Sequence, residues 1–134
     1  MAAFRQFEDI DVWKQGRVLA SRIYAVARTD AFSRDYGLRD QIQRAVVSIS
    51  SNIAEGYERA GNKEFIKFLW IAKGSAGEVA SQLYIAYDNG YIDAEQFSNL
   101  HAEAKAIGAR IYCLIKSLTT SNFSGPRYNL PKAV

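Results

Sequence analysis

In four separate stretches of this chain, apolar residues recur at alternating steps of three and four, the period of an α-helix with one buried face. The first stretch carries Val12, Gly16, Leu19, Ile23 and Val26, and the second Leu38, Ile42, Ala45, Ile49 and Ile53. The third runs through Phe65, Leu69, Ala72, Ala76, Val79 and Leu83. The fourth is the cleanest: Phe97, Leu100, Ala104, Ile107, Ile111, Leu114 and Leu118. A polar segment with Asp30, Ser33, Asp35 and Gly37 predicts a loop between the first two helices. The second helix should end near Gly56 to Gly61, where glycine relieves the left-handed geometry of a helix cap. Asn62 is the expected N-cap of the third helix, Asn89-Gly90 its stop, and Asp93 with Gln96 a capping-box start for the fourth.

A stripe spacing near 3.5 predicts helices crossing at roughly 20°, and short connections favour neighbours in sequence as neighbours in space. The expected fold is all-α, an antiparallel up-down-up-down four-helix bundle over residues 1–120, with Phe4 and Phe7 of the lead-in tucked onto it. Residues 121–134, SNFSGPRYNLPKAV, hold turn formers and no period, and read as a flexible C-terminal tail.

The apolar pattern exceeds what one bundle needs. At about 100° per residue, Ile66, Trp70, Gly77 and Tyr84 fall on one flank of the third helix's core stripe. Phe68, Ile71, Ser75, Glu78 and Gln82 fall on the other, while Val47, Ser50, Ala54 and Tyr57 make a second line on the second helix. Trp13, Ala20, Tyr24 and Ala27 widen the first. Exposed aromatics and small residues invite a covering neighbour, so the chain is expected to associate with copies of itself. Polar residues interrupt these faces: Asn52, Glu55, Ser75, Glu78 and Gln82, together with Trp70 and Tyr84 of the opposite flank, are candidates for an oligomer interface or a polar network that sets helix register. Arg39, Arg44 or Lys73 could supply a cation to the carboxylates.

Length and composition suit one such domain. The chain has 134 residues, 49% of them hydrophobic, and its two prolines, Pro126 and Pro131, both lie near the C-terminus. No run of apolar residues is long enough for a membrane span, and the N-terminal stretch lacks the features of a secretory signal. With Cys113 as the single cysteine, a reducing cytoplasm is the expected location.

Chemistry finds little support. Glu55 and Glu78 are the only carboxylates expected on facing helices, and nothing else converges on them. A di-metal bundle needs Glu-x-x-His on two helices, but the only histidine, His101, follows Ser98 at that spacing. Cys113 lies away from its helix's core stripe with no histidine near in sequence, and there is no glycine-rich phosphate loop. No catalytic residue, metal or cofactor is expected.

Charge is more informative. Between Val12 and Thr29 there are four basic residues, Lys14, Arg17, Arg22 and Arg28, and no acid. From Ala104 onward there are five, Lys105, Arg110, Lys116, Arg127 and Lys132, again with no acid. First and fourth helices are neighbours in an up-down-up-down bundle, so these runs could merge into one positive side. Lys14, Arg17, Arg28, Lys105 and Lys116 are the candidate contacts to nucleic-acid phosphates. A net charge of +3 permits such contact without requiring it.

The segment SNIAEGYER (Ser51 to Arg59), followed by NKEFIKFLWIAKGSAGEV and then Asp88-Asn89-Gly90-Tyr91, resembles the four-helix-bundle proteins encoded by intervening sequences in bacterial large-subunit ribosomal RNA genes. The opening FEDIDVWKQGRVLA also looks like their start, and the likeness runs from about Phe7 to Leu118. The fold is in turn similar to the accessory variability determinant of diversity-generating retroelements, a basic pentameric bundle that binds nucleic acid and its reverse transcriptase. The resemblance implies a ring-like homo-oligomer, most simply a homopentamer, with no membrane contact and with RNA, DNA or a nucleic-acid enzyme as partner. It leaves the role of the family generally unassigned. The leading expectation is a non-enzymatic accessory or scaffold that binds nucleic acid, and the alternative is a protein–protein interaction scaffold.

Overall fold

The computed structural model describes residues 4–59 and 61–120, so the expected tail at 121–134, with Arg127 and Lys132, lies outside the described residues. Four long helices build the molecule: α1 (Asp11–Ala27), α3 (Tyr36–Glu58), α4 (Asn62–Asp88) and α5 (Ala94–Thr119). A five-residue helix α2 (Asp30–Arg34) and a single 3-10 turn (Phe7–Asp9) complete the described elements, which are all helical. Helix α3 packs against α4, α4 against α5, and α1 against both α3 and α5, so the four close around one core.

The core contains most of the stripes read from the sequence and is widened by Val46, Ala80, Ala86 and Ile115, which those stripes did not include, while Leu38 is only partly buried. All six third-helix positions, from Phe65 to Leu83, are buried on α4, and Ile42, Ala45, Ile49 and Ile53 are buried on α3. On α5 the buried line is Leu100, Ala104, Ile107, Ile111, Ile115 and Leu118, with Phe97 and Leu114 partly covered at its edge. On α1, Ala27 closes the stripe and Val26 is only partly buried. Phe4 and Phe7 do pack on the bundle.

Helix ends follow local chemistry. Asp93 accepts from the Gln96 amide at 2.8 Å while the Gln96 side chain accepts from the Asp93 amide at 2.9 Å, the reciprocal capping box. Asp35 caps α3 by accepting from the Leu38 amide at 3.1 Å. Several boundaries depart from expectation. The N-cap of α4 is Gly61, at φ 90, and Asn62 is the first helical residue. The left-handed conformation that suits glycine therefore starts α4 and does not terminate α3, which leaves its helix through an extended Arg59. Gly56 remains helical. A Cβ there would meet Phe68 Cβ at 2.6 Å, so its missing side chain is what lets α3 and α4 approach.

The expected loop between the first two helices contains α2, because Phe32 is buried there and stacks on Tyr91 with ring centroids 5.2 Å apart. Tyr57, assigned by pitch to an outer line, is buried as well. Its hydroxyl donates to the Phe4 carbonyl at 2.7 Å, since the lead-in folds over the last turn of α3.

Candidate functional site

The polar residues of α3 and α4 separate into two groups. Asn52 donates to both the carbonyl and the hydroxyl of Ser48 at 2.8 Å, and the Ser48 and Ser75 hydroxyls share a hydrogen bond of 2.9 Å across the seam. Gln82 donates to Gln41 at 3.4 Å, while its buried Oε1 has no partner among the described residues. These are two separate polar links between α3 and α4. Glu55 and Glu78 stay out of both, exposed to solvent. Glu55 takes its cation from Arg59, at 2.8 Å, and not from Arg39, Arg44 or Lys73. An i,i+4 pair on one helix is simply nearer than any group across the seam.

Nothing in this arrangement builds an acid–base centre. Among the described residues there is no group of His, Cys, Asp and Glu side chains able to hold a metal. His101 stacks on Phe97 at 5.0 Å and meets the Tyr84 ring edge-on at 5.0 Å. Cys113 is exposed. Tyr91 is the phenol held above its usual range, because its O–H donates to the Asp35 carboxylate at 2.9 Å and partial burial and the carboxylate's charge add to that. That pair ties the loop after α4 to the cap of α3.

The cations are distributed differently from the expectation. Helices α1 and α5 do pack together, but Glu103 stands in their seam and receives Arg22 at 3.1 Å. Arg110 donates to Gln15 at 3.2 Å in the same seam. Lys14 pairs with Asp11 at 3.8 Å, Arg17 lies over the Trp13 ring at 6.0 Å, and Arg28 is exposed. The positive runs of α1 and α5 are thus divided by a carboxylate.

Lys105 and Lys116 belong instead to the outer side of α5 toward α4. Lys105 and Lys73 line one groove of about 250 Å3 whose floor is Ala76, Gly77, Ala104 and Gly108. Lys116 lies 5.8 Å from the Tyr112 ring centre, and Tyr112 is 6.0 Å from Trp70, which is 48% exposed. Farther along α4, Tyr84, 50% exposed, packs on Phe97 at 4.8 Å. Along α4 the stripe reads Lys63, Lys67, Trp70, Gly74, Gly77, Ser81, Tyr84, in strict alternation of four and three. None of the ion pairs among the described residues engages Lys63, Lys67, Lys73, Lys105 or Lys116. The α4 lysines were not among the phosphate contacts expected from the sequence, where Lys73 was considered only as a cation for the carboxylates. Their signal was the same spacing that singled out Trp70 and Tyr84, extended to charged positions.

A larger and shallower groove, about 590 Å3, runs along the outside of α3 past Tyr24, Arg44, Val47, Asn52 and Glu55, and its charges are mixed. No helix among the described residues is long and apolar enough to cross a membrane.

Residues 8–113 match the model of the 23S rRNA-intervening sequence protein family, and the chain belongs to that family. Its fold is similar to the crystal structure of a protein of unknown function from the S23 ribosomal protein family of Bacteroides thetaiotaomicron, with a TM-score of 0.72 and 26% sequence identity. That likeness covers 78% of this chain and 98% of the other. Comparison with curated proteins gives no match.

Proposed function

We propose that this family member is a non-enzymatic, homo-oligomeric scaffold of the cytoplasm that binds nucleic acid through its phosphates. The observation that carries the reading is the α4–α5 face, where five lysines stand with no carboxylate partner among the described residues. Uncompensated lysines on one face attract a polyanion, and each phosphate contact releases counterions. Of the sequence candidates, Lys105 and Lys116 belong to this face, while Arg17 and Arg28 on α1 would extend contact only in an assembly.

An up-down-up-down order is supported by the seam contacts. Gln41 and Ser48 meet Gln82 and Ser75, Trp70 and Tyr84 meet Tyr112 and Phe97, and Gln15 and Arg22 meet Arg110 and Glu103, each pair of helices running in opposite senses. Self-association is supported by the other flank of α4, where Ile71 and Ile85 are exposed beside Glu78, with Val47 exposed on α3. A neighbouring copy there would cover these side chains. Asn52, Glu55 and Ser75 border that surface. A ring of five is the number implied by the family resemblance.

Light scattering on size-exclusion eluate, with and without labelled RNA and DNA, tests both halves. The expected result is an oligomer whose nucleic-acid affinity falls at least tenfold between about 50 and 200 mM salt. Charge reversal by Lys73→Glu with Lys105→Glu should abolish that binding. A monomer that ignores nucleic acid would overturn the reading, and an oligomer that ignores it would favour a protein-interaction scaffold using the α3 groove.

A further inference from the structure

The groove between α4 and α5 stands beside aromatic rings that the phosphate reading alone does not need. Aromatic rings flank it along the two helices, Trp70 with Tyr112 on one side and Tyr84 with Phe97 and His101 on the other. Half the surface of Trp70 and of Tyr84 is open to solvent, although both have ring partners that hold them in place. The floor of the groove is made of small residues, and Lys73 and Lys105 line its walls.

We propose that this groove takes a single-stranded stretch of nucleic acid, whose bases stack on the half-exposed Trp70 and Tyr84 rings while its phosphates meet Lys73 and Lys105. The proposal rests on the nucleic-acid reading above and deepens it. Every base has a π-face, so aromatic platforms flanked by lysines hold a single strand without reading its sequence. A duplex hides those faces inside its stack and could offer this groove only phosphates. From Trp70 to Tyr84 is fourteen residues of helix, about 21 Å at 1.5 Å per residue. That is room for on the order of six nucleotides at stacked spacing, or fewer if the strand is extended. DNA and RNA share the features used, so both should bind. With no carboxylate partner for these lysines among the described residues, the charge of the groove complements a polyanion better than a second copy of this chain.

The test is fluorescence anisotropy of a labelled twelve-nucleotide single strand, as DNA and as RNA, against a blunt duplex of the same sequence. The full chain is used, with thermal melting and light scattering on every variant. The expected result is single strand bound more tightly than duplex. Trp70→Ala or Tyr84→Ala should weaken single-strand binding about tenfold, the loss of roughly one stacked base, and leave duplex binding unchanged. Trp70→Phe should recover most of the affinity. Gly77→Glu should remove binding of both, since a side chain there meets no heavy atom within 4 Å and its carboxylate would stand between the lysines.

Three results would each overturn the stacking assignment. Aromatic variants that bind single strands as the wild type does, while Lys73→Glu still fails, would leave the phosphate reading standing alone. Aromatic variants that change the oligomeric state would assign the face to a second copy. Equal affinity for duplex and single strand would remove its premise. If the wild type binds no nucleic acid at all, the broader reading falls with it.

Discussion

Helix α4 is bordered by two seams built on opposite logic. Toward α3 the backbones approach at Gly56, Phe65 and Phe68 fill the contact, and a Ser48–Asn52–Ser75 network crosses it. Toward α5 the buried layer is just as complete, but above it Gly77 and Gly108 leave a groove edged by half-exposed rings. One seam uses its glycine for close packing, and the other leaves Gly77 open, with Gly108 in no more than ordinary contact distance of Ala76. The lesson is that glycine content alone does not tell a packing device from an open surface. What lies opposite the missing Cβ decides it.

The sharpest way to break that comparison is to add one methyl group on each side. Gly56→Ala forces its Cβ against Phe68, and should destabilise the fold by about 2 kcal/mol despite the better helix propensity. Gly77→Ala meets nothing within 4 Å, and should stabilise it by about 0.5–1 kcal/mol through propensity alone. Chemical denaturation of the two variants reads both, and shifts of the same sign would erase the distinction between the seams.

A smaller effect sharpens the α3 side. Ser75→Ala removes the hydrogen bond to Ser48 across the seam, and should cost about 1 kcal/mol. The loss should shrink when Asn52→Ala has already been made, because the two act on one Ser48 hydroxyl. Additive losses in a double-mutant cycle would mean that the three side chains do not form a unit.

The weakest expected effect lies outside both seams. The Tyr91 phenol is held above its usual range by donating to Asp35, so the folded chain keeps a proton that the unfolded chain gives up first. Its contribution is complete below about pH 10, the ordinary tyrosine value, and is lost as the pH rises through the raised value. Stability should therefore fall more steeply above pH 10 in the wild type than in Tyr91→Phe. Parallel melting curves across that range would show the pair to be without consequence.

Much of the fold was legible because burial on a helix has a period. The stripes of α4 and of α5 were read almost residue for residue, and the Asp93–Gln96 box was visible as two residues at the right spacing. The five-residue α2 was not legible, since a segment of that length offers too few positions for a period to repeat. Tyr57 was misplaced because pitch assigns faces within one helix and knows nothing of the lead-in that folds over its end. Gly56 and Gly61, both read as marking the end of the second helix, proved to be a close approach and the cap of α4 for a similar reason. A cap and a close approach both favour glycine, and only the partner element tells them apart.

The sequence by itself determined that this is an all-helical domain, where its long helices run, and which face of each is buried, because those properties depend on residues three and four apart. Tertiary packing alone decided where the charge collects. Arg22 and Glu103 are far apart in the chain, and their meeting divides the positive side expected between α1 and α5. The same packing gathers Lys73 with Lys105 and Trp70 with Tyr112 on the other side of α5. The field at a surface is a sum over neighbours in space, and no spacing within a single helix contains it.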